Sequence, residues 1–293
     1  MKVASLSRTD APIGVFDSGL GGLTVVRRLW EALPQERVLY VADQAHVPYG
    51  GRELAQVCGF ACGISESLLA AGCKALVMAC NISSATALPA VQAEYPGVPI
   101  LGVILPGTEA AAARTRNGRI GVLATEGTVK SGAYTRALRA LNPALQIIEV
   151  ACPAFVPLVE AGELETPVAL AAAREYLAPL LAAGVDTVIL GCTHYPFLLP
   201  TLEALAPALD FVDPALQTVR ALADRLAHAQ LLASQPSAEP PRHRLATTGD
   251  PAAFAAQMRR FLPEAAQAAT ILGARWEQGA LRLLSSPLPS VAP

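Results

Sequence analysis

The sequence predicts an α/β protein of two similar domains, each a parallel-rich sheet flanked by helices, related by a pseudo-two-fold axis and enclosing a cleft. Three observations carry this prediction. Apolar runs of strand length alternate with stretches of helix length, the pattern of βαβ units. Two parts of the chain echo one another, as duplicated structural units do. And 293 residues exceed the usual size of a single hydrophobic core.

The clearer echo pairs Ala70-Ala71-Gly72-Cys73-Lys74-Ala75-Leu76-Val77-Met78-Ala79-Cys80 with Ala182-Ala183-Gly184-Val185-Asp186-Thr187-Val188-Ile189-Leu190-Gly191-Cys192. Each copy reads as the end of an alanine-rich helix, a glycine stop, an apolar strand and a thiol. The second echo pairs Ile13-Gly14-Val15-Phe16-Asp17-Ser18-Gly19 with Ile120-Gly121-Val122-Leu123-Ala124-Thr125-Glu126-Gly127. The separations, 112 residues (80 to 192) and 107 residues (13 to 120), are nearly equal. Two lobes should therefore each present one cysteine at an equivalent place.

Taken in order, residues 13–16 read as a buried strand and 24–33 as a helix stopped at Pro34. A strand over 37–42 leads into a turn-rich loop through Pro48-Tyr49-Gly50. A helix over 54–71 and a strand over 75–79 bring the chain to Cys80. The alternation continues with strand 98–104, helix 107–114, strand 119–124, helix 129–141, strand 145–150, helix 167–183 and strand 186–190. Apolar runs without a two-residue period fit strands covered on both faces. Beyond Cys192 come helix 198–206, strand 210–212 and helix 214–232. A proline-rich loop is expected over 234–242, then strand 245–248, helix 251–262 and one last strand after Ala268. Residues 285–293 read as a disordered tail.

Composition narrows the class. Apolar residues make up 53% of the chain, charged residues 16%, and the net charge is −2. This balance offers no electrostatic footprint for nucleic acid. The longest greasy window, 168–185, contains Arg174 and Glu175 and is too short to span a bilayer. Residues 1–10 do not read as a signal peptide. A cytoplasmic protein with free thiols follows, and the six cysteines are too sparse for a disulfide scaffold. Cys58 and Cys62, one helical turn apart, read as core residues. Lysine is limited to Lys2, Lys74 and Lys130, which disfavours a pyridoxal Schiff base and favours chemistry without a cofactor.

Ligands of doubly wound sheets collect at the carboxyl ends of the strands. Polar segments fall there at Asp17-Ser18-Gly19, Pro48-Tyr49-Gly50, Cys80-Asn81, Thr125 to Thr128 and Cys192-Thr193-His194. A cysteine just before a helix feels the positive end of the helix dipole. Helix N-termini and backbone amides suit a carboxylate ligand. Two thiols on opposite lobes could remove a proton from one face of a carbon and return one to the other, inverting the stereocentre. Asp17 is placed to serve Cys80, and His194 to serve Cys192. Other readings stand beside this one. A strand-end cysteine can be a packed core residue, and Asp17 can be a helix cap. Zinc on Cys80, Cys192 and His194 matches no common spacing. His46 and His243 read as solvated loop residues.

Together these segments resemble the motifs of the bacterial glutamate racemases. The run from Ile13 to Val25 is similar to their opening motif, followed in order by Val47-Pro48-Tyr49-Gly50, Ala79-Cys80-Asn81, the 120–129 segment, Leu190 to Pro196, and Thr247-Thr248-Gly249-Asp250-Pro251. The resemblance implies a cofactor-independent, cytoplasmic, homodimeric racemase that interconverts L- and D-glutamate for peptidoglycan synthesis. With the charge, the hydropathy and the cysteine spacing, no metal, no membrane partner and no nucleic-acid partner are expected. Cys80 would take the α-proton of D-glutamate and Cys192 that of L-glutamate, helped by Asp17 and His194. Asp17, Ser18, Pro48, Tyr49, Gly50, Asn81, Ile82, Thr125, Thr128, Thr193 and His194 would form the substrate site. The resemblance also implies one domain over 1–102, a second over 103–212, and a return over 213–293 that completes the first.

One position departs from that pattern. The family has threonine where this chain has Ile82, so a hydroxyl is replaced by an apolar branch. Weaker glutamate binding is expected, with another acidic amino acid as the alternative substrate. A Cys192–His194 hydrolase would leave Cys80 unexplained. A binding protein closing on an acidic metabolite would leave both thiols unexplained.

Overall fold

The computed structural model describes residues 8–233, 243–263 and 269–287. The chain is α/β, with two largely parallel sheets flanked by helices. In the first half, β1 (Ile13–Asp17), α1 (Leu23–Ala32), β2 (Val38–Ala42), α2 (Leu54–Ala70), β3 (Ala75–Met78), α3 (Asn81–Glu94) and β4 (Ile100–Gly102) follow one another. Next come α4 (Ile104–Arg114), β5 (Arg119–Ala124), α5 (Glu126–Ser131), α6 (Ala133–Leu141) and β6 (Gln146–Ala151). They lead to α7 (Phe155–Ala161), α8 (Pro167–Ala182), β7 (Thr187–Gly191), α9 (Leu199–Leu205), β8 (Asp210–Val212) and α10 (Pro214–His228). The chain closes with β9 (His243–Thr247), α11 (Pro251–Phe261), β10 (Ala269–Glu277) and β11 (Ala280–Pro287).

The first sheet has the order β11-β10-β9-β2-β1-β3-β4, and the second β6-β5-β7-β8. Within each, the first strand of the set lies between the second and third, with the fourth outside the third. The echo in the sequence is thus an echo in topology: β1 and β5 are equivalent, as are β3 and β7. All pairings are parallel except β10 with β11. In both sheets the chain leaves the first strand toward one side and returns on the other. That creates a crevice at the carboxyl ends, between β1 and β3 and between β5 and β7. Cys80 follows β3 and Cys192 follows β7, so each thiol stands at its sheet's crevice.

The central strands are buried because helices cover both faces, and β1, β2, β3 and β7 are buried throughout, whereas the edge strand β6 is only half-buried. One apolar cluster runs from Val15 and Leu29 of the first half to Leu177, Leu190 and Tyr195 of the second. At about 25 cal/mol per Å² of apolar surface removed from water, such side chains dominate the folding energy.

Several elements depart from the sequence expectation. The helix expected over 129–141 is two helices, broken where Gly132 takes a left-handed φ of 62°. Helix α7 is additional; it carries Pro157 and is stopped by Gly162 at φ 75°. The strand expected over 98–104 shortens to β4, and α4 starts three residues early. In place of one last strand there is an antiparallel hairpin, turned at Gln278 and Gly279 with φ of 51° and 82°. Its second strand runs to Pro287, so the start of the expected disordered tail is paired backbone. The loop expected over 234–242 and the tail beyond 287 lie outside the described residues. No described helix is long and apolar enough to cross a membrane.

Candidate active site

Cys80 occupies the N-cap of α3, and the residue is 5% exposed. Burial and then the neighbouring Asp17 carboxylate push that thiol up to about 12, while the Ser83 hydroxyl and amide pull the other way. The Ser83 hydroxyl is buried with no other partner. The charge of Cys192 adds a further, smaller upward push on the Cys80 thiol. Cys192 is 8% exposed.

His194 lies two residues beyond Cys192, its Nδ1 3.9 Å from the Cys192 sulfur. Its Nε2 lies 3.4 Å from Oε1 of Glu160 on α7, close enough for charge pairing but off the line of a good hydrogen bond. Burial alone would push the imidazole down. Contact with Cys192 and then Glu160 reverses this and raises it to about 10. Both contacts favour the imidazolium form of the ring beside the Cys192 sulfur.

Asp17 ends β1 and is 1% exposed. Its Oδ2 accepts from the Gly22 amide at 2.8 Å and from the Thr193 hydroxyl at 3.3 Å, which ties the two cysteine-bearing halves together. A side chain on Gly22 would strike the Asp17 Cβ at 2.6 Å and the Tyr40 hydroxyl at 2.8 Å. One on Gly21 would strike Thr193 and His194. These two glycines permit the close approach. Tyr40, fully buried, donates to the Gly19 carbonyl beneath this loop, and burial followed by the Asp17 charge holds its phenol well above the usual range.

The other expected residues are distributed around this centre. The Asn81 side-chain oxygen accepts from the Tyr134 hydroxyl at 2.6 Å. The Tyr134 ring lies against Gly191, where an added Cβ would come within 3.1 Å of it. Thr125 and Thr128 share a 3.1 Å hydrogen bond at the start of α5. Gly50 faces Thr125, so close that an added Cβ would sit 3.2 Å from the threonine Cβ. Tyr49 is buried and donates to Asp43 Oδ2 at 2.6 Å. Ser18 is half-buried on the loop after β1, and Pro48 is exposed at the rim.

Ile82 is 3% exposed and packs with Tyr49, Val57 and Cys80 in a small apolar cluster. Its Cδ1 also faces Gly127 of the other half, where an added Cβ would lie 2.4 Å away. The apolar branch therefore fills a place between the two halves, beside the thiol.

Two expectations about histidine do not hold. His243 is buried at the start of β9, stacked on Trp30 at 4.5 Å and accepting from the Val38 amide. His46 is half-buried, bonded to Asp43 at 2.8 Å and stacked on Phe60 at 3.9 Å. Both are held by packing that spans distant segments, which their local loop sequences do not reveal. Lys74 likewise forms a buried ion pair with Glu36. Among the described residues, no three His, Cys, Asp or Glu side chains are arranged to hold a metal ion. Glu160, Tyr134, Tyr40 and Asp43 join the constellation without a local sequence signal, because each reaches it through tertiary contact.

With this geometry in place, known proteins can be set beside the chain. The Asp/Glu/hydantoin racemase family matches residues 13–224. A glutamate racemase of Beutenbergia cavernae is 48% identical over 264 residues, covering 87% of this chain and 90% of that protein. The crystal structure of a glutamate racemase from Bacillus anthracis superposes with a TM-score of 0.85 at 35% identity, covering 93% of this chain and 99% of that one. A Francisella tularensis glutamate racemase in complex with D-glutamate gives 0.83 at 31% identity, covering 92% and 98%.

Proposed function

This chain belongs to the Asp/Glu/hydantoin racemase family, and from that premise we propose that it interconverts L- and D-glutamate with two opposed thiols. The reading rests above all on one observation: Cys80 and Cys192 follow topologically equivalent strands, and Cys192 acts electrostatically on the Cys80 thiol. Relatives of 44–48% identity over most of the chain are glutamate racemases, which supports the substrate.

In the L-to-D direction, Cys192 as thiolate takes the α-proton and Cys80 as thiol delivers one to the opposite face. The reverse direction exchanges these roles. His194 supports charge changes at Cys192, and Asp17 supports those at Cys80. Proton transfer by positioned groups of this kind typically contributes about 10²–10⁴-fold each. The carbanionic transition state gathers negative charge, and the N-terminus of α3 with its polar surroundings meets it. Ser18, Pro48, Tyr49, Gly50, Asn81, Ile82, Thr125, Thr128 and Thr193 line the place of the substrate's charged ends.

The reading also assigns the units 1–102, 103–212 and 213–293, with the last completing the first domain. It assigns a cofactor-free, cytoplasmic homodimer that supplies D-glutamate for peptidoglycan, the role of the family. The test follows optical rotation during incubation with L-glutamate and, in parallel, L-aspartate. Loss of the glutamate signal toward zero rotation is expected. Racemisation of aspartate but not glutamate would overturn the substrate assignment.

A further inference from the structure

Asp43 directly follows β2, and its carboxylate is fully buried. A buried charge is tolerated only when its lone pairs are satisfied, and here four donors converge on it. Oδ2 accepts from the Tyr49 hydroxyl at 2.6 Å and from His46 Nδ1 at 2.8 Å. Oδ1 accepts from the Thr248 hydroxyl and from the indole Nε1 of Trp276, both at 2.8 Å. The Asp43 amide in turn donates to the Asp17 carbonyl at 3.0 Å.

These donors come from separate parts of the chain. Tyr49 and His46 belong to the loop that rims the crevice, Thr248 follows β9, and Trp276 lies on β10 of the C-terminal hairpin. Trp276 is also fixed by its neighbours: its ring meets His46 at 5.3 Å and Phe60 at 5.9 Å. The Tyr49 ring, at the other end of the network, packs with Cys80 and Ile82. A fully satisfied buried network of this kind rigidifies the groups it joins.

We propose that Asp43 is a positioning residue that locks Tyr49 into its place in the crevice, and that Trp276 and Thr248 orient Asp43 for this task. The C-terminal hairpin thereby sets substrate affinity without touching substrate. The inference rests on Tyr49 being part of the glutamate site, as proposed above.

The test is a cycle of Trp276→Phe, Tyr49→Phe and the double variant, measured with both enantiomers for kcat and KM and by thermal unfolding. Trp276→Phe keeps a ring and removes one donor. It should raise KM for L- and D-glutamate alike by about threefold to tenfold, the range of one ordinary hydrogen bond, because the lost bond acts on substrate only through Tyr49, with kcat nearly unchanged. In the Tyr49→Phe background the same change should add little, because the link to Asp43 is already cut. Unchanged KM with only a lower melting temperature would overturn the proposal, as would fully multiplicative effects in the double variant. Should Trp276→Phe not fold, Thr248→Val removes the other donor to Oδ1 and is read in the same way. A wild-type chain inactive on both enantiomers would instead remove the glutamate reading, and this inference with it.

Discussion

The Tyr134 hydroxyl donates a 2.6 Å hydrogen bond to the Asn81 side chain, joining the residue after Cys80 to a ring packed against Gly191, the residue before Cys192. This contact holds the two thiol-bearing segments in register. Tyr134→Phe leaves the Asn81 oxygen buried without that donor, at a cost of about 1–3 kcal/mol. We expect a lower melting temperature together with a raised KM for both enantiomers. Unchanged kinetics would show that the contact is structural alone.

His194 is raised to about 10 partly by Glu160. A histidine with a raised value keeps its proton until pH passes that value. Removing the carboxylate by Glu160→Gln should let the proton leave at lower pH. The alkaline limb of kcat/KM for L-glutamate should therefore shift toward neutrality. Superimposable pH profiles for wild type and variant would contradict this.

Ile82 fills an apolar niche beside Cys80 and against Gly127. Ile82→Thr should lower KM for glutamate by restoring a hydroxyl. It should also reduce stability by about 2 kcal/mol through lost packing and a buried polar atom. Steady-state kinetics and denaturant unfolding check the two parts separately. A raised or unchanged KM would refute the first.

Burial lowers His243 to about 4, and its Nδ1 accepts from the Val38 amide. The unfolded chain binds a proton near pH 6.5, the folded chain only near 4. Stability should therefore fall as pH drops from about 6.5 to 4. His243→Gln, which does not titrate, should lose less over that window in urea unfolding at stepped pH. Equal slopes would exclude His243 as the cause.

Much of the frame was legible in the sequence. Strand β5 and strand β8 lie where the apolar runs place them, and the repeated glycine-strand-cysteine pattern corresponds to the shared strand order of the two sheets. Local signals carry such features because periodicity and glycine act over a few residues. Gly132 split a helix that its neighbours favour, and α7 is too short and too proline-bearing to stand out. Around the thiols, the strand-end motifs could be listed from sequence. Tyr134 with Asn81, Glu160 with His194, and Trp276 with Asp43 could not. Each pair is distant in sequence and meets only through packing between segments.

The central claim is that two thiols exchange protons on opposite faces of one carbon, and solvent isotope incorporation tests it most directly. In heavy water, L-glutamate should yield D-glutamate carrying one deuterium at the α-carbon, and Cys80→Ala and Cys192→Ala should each abolish racemisation. Racemisation that persists in full in either single variant, or D-glutamate formed without deuterium, would contradict the account.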